Sequence, residues 1–352
     1  MSDLIIKFKG GTGNQLFQAA IALTLAKTYK KSCKYNIDNL ENNKYKRKLE
    51  ILPLLKFFDL DIKTPKPKKN TLFLDQYDID HPIYFSQYSP LVNLKSDIQI
   101  EGYFTNYRLH DSEIISKIKK FFRSLELFQG FKGNDYITIH LRELHGVGNN
   151  EINNSIDNLN INYYSQAIEK MSKISSFDKV KNVIVFTDIY KKPENSRLLP
   201  KIKNLLQDYG LNYIDGDNNI NSLLDLLKVF SLSKCSIISN STLSWWGAYL
   251  SEGEIFSPVM NLWEPNLKIP DHWNQIYSNE LMPKTHHKKI IFDTSIMKEE
   301  KNFKNYSTQR LKFINFNRVL FKKVNSNLLF ISIKKWFKKK GILPENPHST
   351  FI

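Results

Sequence analysis

Short apolar runs that end in polar loops and give way to helical periodicity recur along this chain. That alternation most limits what the chain can fold into. Leu4–Phe8 is such a run, Gly10–Gly13 is a turn, and Leu16, Phe17, Ala20, Ile21 and Leu25 then recur at helical spacing, with Asn14 placed to cap the helix. Lys34–Ile37 and Asp97–Tyr103 read as further strands, with a helix over 111–129. The pattern then repeats: strand Tyr136–His140, helix Asn162–Ile174, strand Lys181–Thr187, helix 195–209, strand Leu211–Ile214, helix 221–233 and strand Cys235–Ser239. Ser241 or Thr242 caps a helix through Leu250, and Glu254–Ser257 reads as a last short strand. Strands alternating with helices predict parallel α/β sheets. Three regions are expected: an α/β domain over 1–130 with the glycine loop, a doubly wound Rossmann-like domain over 131–290, and a basic tail over 291–352. In such sheets the polar loops at the C-terminal strand ends meet the ligand.

Composition narrows the partners. At 352 residues there is room for two domains, and 41% hydrophobic residues exclude disorder of the whole chain. The net charge of +16 asks for a polyanion such as nucleic acid, acidic lipid or a phosphorylated ligand. Residues 301–352 hold twelve Lys or Arg and one acid, Glu345, and so carry +11 of that charge. Within them Leu329, Phe330, Ile333, Trp336 and Phe337 share one helical face, with Lys334, Lys335, Lys338, Lys339 and Lys340 around the other. This amphipathic tail either docks on an anionic membrane surface or packs back on the protein. No helix-turn-helix, RRM or zinc pattern accompanies the charge, so no nucleic-acid partner is expected. Two separated cysteines, Cys33 and Cys235, exclude a disulfide framework and a Cys-based zinc site. Leu4-Ile5-Ile6 is too short for a secretory apolar region, and no apolar run approaches the length of a spanning helix. The expected location is cytoplasmic, peripheral at the inner face of the plasma membrane where the tail docks.

Four segments carry chemistry. Gly10-Gly11-Thr12-Gly13-Asn14-Gln15 lacks the third glycine of a dinucleotide fingerprint, Leu16 standing there, and lacks the Gly-Lys-Ser/Thr ending of a Walker loop. What remains is a turn, either simply tight or with bare N–H groups free to meet an anion through Gly11, Gly13, Asn14 and Gln15. His140-Leu141-Arg142 closes a buried strand, and Arg142 there suits a phosphate or an interdomain ion pair. Asp188 follows Asn182–Thr187 and is placed for ribose hydroxyls, base N–H groups or a helix cap. Ser239-Asn240-Ser241-Thr242-Leu243-Ser244 puts small polar residues where a helix begins, a ready phosphate site, while Trp245 and Trp246 read as core. Asp-x-Asp pairs at 59/61, 78/80 and 215/217 are too frequent to mark a metal–diphosphate site, and His286-His287 lacks acidic partners.

Taken in order, these motifs resemble glycosyltransferase family 11, the α-1,2-fucosyltransferases of bacterial type. Residues 10–20 (GGTGNQLFQAA) are similar to its opening motif, and His140-x-Arg142 to the start of its His-x-Arg-Arg-Gly-Asp motif. Residues 185–188 (VFTD) are similar to Phe-Ser-Asp-Asp, 239–250 (SNSTLSWWGAYL) to its Trp-Trp-Gly-Ala segment, and 101–108 (EGYFTNYR) to its Gly-Tyr-Phe-Gln segment. The resemblance spans roughly residues 1–275.

It implies a GT-B-like fold of two Rossmann-like domains facing a cleft, the first on the acceptor side and the second binding the nucleotide sugar. It implies an inverting galactoside α-1,2-fucosyltransferase with GDP-β-L-fucose as donor and no metal cofactor. The acceptor implied is a galactose-type residue of a surface glycan such as O-antigen, or its lipid-linked oligosaccharide precursor. Arg142 would grip the diphosphate, Asp188 would lie near the guanosine, and Ser241 and Thr242 would lie near the phosphates. His140, Asn240 and Ser244 complete the donor-binding set. Glu143-Leu144-His145-Gly146 stands where the family has Arg-Gly-Asp, and Ile189 where it has a second Asp. These departures keep another GDP-deoxysugar such as colitose, or a non-catalytic nucleotide- or glycan-binding role, as alternatives. Arg142, Glu143 and His145 form the catalytic set, and the general base is one of Glu143, His145 and Asp188. A nucleotide-cofactor oxidoreductase is disfavoured by the absent third glycine.

Overall fold

All strand pairings among the described residues are parallel, as the strand–helix alternation requires. The computed structural model describes residues 3–41, 48–60, 72–75, 97–126, 135–142, 159–174, 177, 180–187, 196–258 and 269–276. These lie in the first of two compact units, Met1–Met282; the second is Pro283–Ile352, and the basic tail over 291–352, with its expected amphipathic helix, lies outside the described residues.

The first sheet contains β1 (Asp3–Lys7), β2 (Ser32–Asn36), β3 (Leu72–Asp75) and β4 (Ile98–Glu101) in the order β2-β1-β4-β3. Its helices are α1 (Thr12–Thr28), α2 (Asp38–Glu41), α3 (Leu52–Phe57) and α4 (Ser112–Ser124). The second sheet contains β5 (Tyr136–Leu141), β6 (Asn182–Thr187), β7 (Asn212–Asp215), β8 (Cys235–Ile237), β9 (Glu254–Pro258) and β10 (Asn274–Ile276) in the order β10-β9-β8-β5-β6-β7. Helices α5 (Ile161–Ser172), α6 (Leu199–Asp208), α7 (Leu223–Leu232) and α8 (Thr242–Leu250) accompany it. The second order turns about at one place, between β5 and β8; in the first sheet β1 and β4 lie side by side although far apart in sequence, and the order changes direction at both. A parallel sheet offers its crevice at such a switch point.

Strand β5 is buried along its whole length, which is why Tyr136–Leu141 reads as a continuous apolar run rather than an alternating one. Helix α4 is one-sided: Ile114, Ile115, Ile118, Phe121 and Phe122 are buried, and Asp111 caps it by accepting from the Glu113 and Ile114 N–H groups at 3.0 and 3.1 Å. Helix α1 differs, being buried from Thr12 to Ala26 except at Asn14. It must therefore be covered on more than one side, and α8 supplies the second cover. Phe17 of α1 sits 4.8 Å from the ring of Trp245 and 5.1 Å from that of Trp246, and both tryptophans are fully buried. His110 stacks on Trp246 at 5.9 Å, and Lys228 of α7 donates to the Arg123 carbonyl near the end of α4 at 2.6 Å. A cation on the last carbonyls of a helix is favoured by the helix dipole.

Two expectations are corrected. Helix α1 begins at Thr12 with Gly11 as its cap residue and no capping side chain, so Asn14 lies inside the helix. Gly10 takes φ +79°, which turns the chain earlier than the Asn signal implies. Strand β9 is not the last, because β10 pairs beside it. Three residues are too few to carry a periodic signal.

Candidate functional site

The end of β1 is fixed by two buried amides. Gln18 accepts from the Lys9 N–H at 3.2 Å and donates to the Gly102 carbonyl at 2.8 Å, tying the ends of the neighbouring strands β1 and β4 together. Gln15 donates to the carbonyls of Gly10 and Lys48 at 3.2 and 2.9 Å and accepts from the Glu50 N–H at 3.0 Å. Both glutamines are fully buried, so their amides must find partners inside the protein, and they find backbone. Gln15, expected to face the donor, is therefore a pin that holds the glycine loop.

The glycines of that loop do different work. A Cβ on Gly11 would meet nothing within 4 Å, so the chain is open there. A Cβ on Gly13 would fall 2.4 Å from the Leu243 nitrogen and the Thr242 carbonyl carbon. Gly13 is thus the point at which the first turn of α1 presses on the first turn of α8. The N-termini of both helices, each a locus of partial positive charge, come together here. Ser241 caps α8 by accepting from the Leu243 N–H at 3.3 Å, whereas α1 has no side-chain cap. The Thr12 hydroxyl, at the first position of α1, is buried and has no hydrogen-bond partner among the described residues.

The β5/β8 switch point is built from hydroxyls and one imidazole. His140 Nδ1 lies 2.7 Å from Ser239 Oγ, and Ser239 lies 3.3 Å from Ser244 Oγ. Ser244 also donates to the carbonyls of Ser239 and Ser241, both at 3.2 Å, which closes the turn into α8. Burial pushes the His140 pKa down to about 3, and the nearby Arg142 guanidinium adds to the effect. His140 is therefore a neutral hydrogen-bonding group at ordinary pH. Arg142 stands half-buried just past β5, and Asn240 and Thr242 stand half-buried at the start of α8. On the flank, Asp217 accepts from the Thr187 N–H and hydroxyl at 3.0 and 2.6 Å and secures the end of β6.

The fold thus brings Gly11, Gly13, Asn14, Ser241, Thr242 and Ser244 to the two touching helix starts, and His140, Arg142 and Asn240 to the adjoining switch point. Within that group Ser241 and Ser244 are committed to holding backbone, as is Gln15 beside it. Glu143, His145 and Asp188 lie outside the described residues, as do Asp61, Asp78, Asp80, His286 and His287. Asp215 and Asp217 serve their own loop and strand: Asp215 accepts from the Asn218 N–H at 3.1 Å. Among the described residues no group of three or more His, Cys, Asp or Glu side chains could hold a metal ion. Sequence reasoning missed Ser239, Gln18 and Thr12. Ser239 and His140 are partners across 99 residues, a pairing that no local pattern encodes.

The family and sequence comparisons give the class. The chain is a glycosyltransferase. The model described as Glycosyl transferase family 11 matches residues 98–266, a span that holds β4, both strands of the β5/β8 switch point and the start of α8. The chain is similar to the O-antigen biosynthesis glycosyltransferase WbnK of Escherichia coli, with 25% identity over 294 residues, covering 70% of this chain and 89% of that protein. Among solved structures it aligns with POFUT1 in complex with GDP-fucose at 12% identity and TM-score 0.37, covering 72% of this chain and 95% of that one. It also aligns with the fucosyltransferase NodZ from Bradyrhizobium at 14% identity and TM-score 0.38, covering 71% and 94%.

Proposed function

We propose that this chain transfers L-fucose from GDP-β-L-fucose, with inversion, to the 2-hydroxyl of a galactose-type residue of a surface glycan such as O-antigen. The observation that carries the donor part is the meeting of two helix N-termini at Gly13 and Thr242, with Arg142 following β5, the strand that pairs with β8 ahead of α8. Two like helix ends in contact favour an anion between them and disfavour a cation or a neutral cofactor. A donor diphosphate is such an anion. Similarity to WbnK, a glycosyltransferase of O-antigen biosynthesis, supports the glycan class.

In this reading the acceptor oxygen bonds to the anomeric carbon from the face opposite GDP as the carbon–phosphate-oxygen bond breaks. The electron pair of that bond passes to the β-phosphate. Arg142, the open backbone at Gly11 and the start of α8 meet the growing charge, and preorganised donors of this kind are each worth about 3–4 kcal/mol. His140, neutral and held by Ser239, orients the strand end that delivers Arg142. The proton of the acceptor hydroxyl goes to Glu143, His145 or Asp188. A metal-independent mechanism, a lipid-linked oligosaccharide acceptor, a GT-B cleft, a cytoplasmic location and docking of residues 301–352 on an anionic membrane belong to the same proposal.

A donor screen tests it: GDP-fucose, GDP-colitose and UDP-sugars with a galactoside acceptor, followed by NMR of the product linkage. Turnover of GDP-fucose to an α-1,2 product is expected. A preference for GDP-colitose would support the second reading, which the replacements at Glu143 and Ile189 favour. Turnover of UDP-sugars alone would refute both.

A further inference from the structure

We propose that Lys9 is a second cationic ligand of the donor's β-phosphate, supplied by the first sheet. This rests on the donor reading above. Lys9 lies between β1 and the left-handed Gly10, and its backbone N–H is fixed by the buried Gln18. The lysines of β1 and β2 are paired: Lys7 with Glu101 at 3.6 Å and Lys34 with Asp3 at 2.7 Å. Lys9 has no acid within ion-pair distance among the described residues. Its ammonium instead rests 4.7 Å from the centroid of the Tyr103 ring. Tyr103 in turn borders Gly10, where a Cβ would lie 3.1 Å from its Cε1.

A cation held on an aromatic face beside an uncapped helix start is a charge stored next to an anion site. Two further observations place the ligand there. The chain at Gly11 is open, and the Thr12 hydroxyl at the same helix start is buried without a partner among the described residues. The sequence explains the need. Glu143 stands where the resembled motif has a second arginine, so one positive charge is absent from that segment. Lys9, just past the end of β1, supplies a positive charge in its place. Lysine suits the task because its ammonium acts as a point charge and leaves the tyrosine face at little cost when a phosphate oxygen arrives.

The test is calorimetric titration of the full chain, wild type and Lys9→Met and Lys9→Arg variants, with GDP, GMP and guanosine, each variant also melted by circular dichroism. Lys9→Met should weaken GDP about 10–30-fold and GMP less than about 3-fold, and Lys9→Arg should hold GDP within about 3-fold, as loss of one charge-assisted contact requires. Unchanged GDP affinity in a folded Lys9→Met variant overturns the inference, and so does an equal loss for GDP and GMP. Should Lys9→Met fail to fold, Lys9→Gln replaces it under the same criteria. A wild-type chain that binds none of the three ligands overturns the donor reading itself, and this inference with it.

Discussion

The two central strand pairs, β1/β4 and β5/β8, are both parallel and differ in their chemistry. At β1/β4 the chain ends are pinned by neutral, fully buried amides, Gln15 and Gln18, acting on backbone. At β5/β8 the strand ends are joined by a neutral imidazole and serine hydroxyls, with Arg142 standing beyond them. What joins them is backbone: the first turns of α1 and α8 touch at Gly13. One region therefore acts mainly as a rigid frame, and the other presents side chains whose polarity depends on that frame staying shut.

The seam holds the frame shut. Replacing Trp246, which packs on Phe17, His110 and Trp245, by Ala should cost about 3–5 kcal/mol, read from a denaturant titration. A loss under about 1 kcal/mol would mean that the two regions are held by something other than this aromatic contact. Gly13→Ala should cost about 1–3 kcal/mol by overpacking, because the obstructing atoms are backbone on the α8 side. Wild-type stability in that variant would separate the two helix starts and remove the reason for an anion between them.

Acid should loosen both regions together. Burial holds His140 and His110 at about 3, so the folded protein resists protons that the unfolded chain takes up near 6.5. Their contribution is complete above about pH 6.5 and is lost as pH falls from there toward 3, by roughly 1.4 kcal/mol per pH unit for each histidine. A melting temperature unchanged between pH 7.5 and pH 5 would contradict this. The smallest effect sharpens the comparison most. Both His110 ring nitrogens are buried without hydrogen-bond partners among the described residues, although part of the residue meets solvent. His110→Phe should therefore be neutral or stabilising by about 1 kcal/mol at pH 7.5, and should remove about half of the acid sensitivity. A destabilised His110→Phe variant would show that the imidazole has a partner of its own.

The strands and helices of the second sheet were legible because long, fully buried runs such as Tyr136–Leu141 alternate with one-sided helices. The start of α1 was misread because Asn14 is a good cap by type, while the left-handed Gly10 decides where the turn ends. Residue types also brought out the helix starts as candidate anion sites. They did not reveal which polar groups are spent inside the protein. Gln15 and Ser244 look like ligand residues by type and position, yet their partners are carbonyls and N–H groups brought near by the fold. Lys9 carries no motif at all, and only its place over Tyr103 sets it apart from the paired lysines around it.

The account turns on Arg142 meeting charge at the touching helix starts. The direct measurement is kcat/KM for GDP-fucose with a galactoside acceptor, in the wild type and in Arg142→Ala, with melting temperatures in parallel. The account predicts a fall of about 100–1000-fold with a melting temperature close to that of the wild type. An Arg142→Ala variant that turns over at the wild-type rate would contradict it.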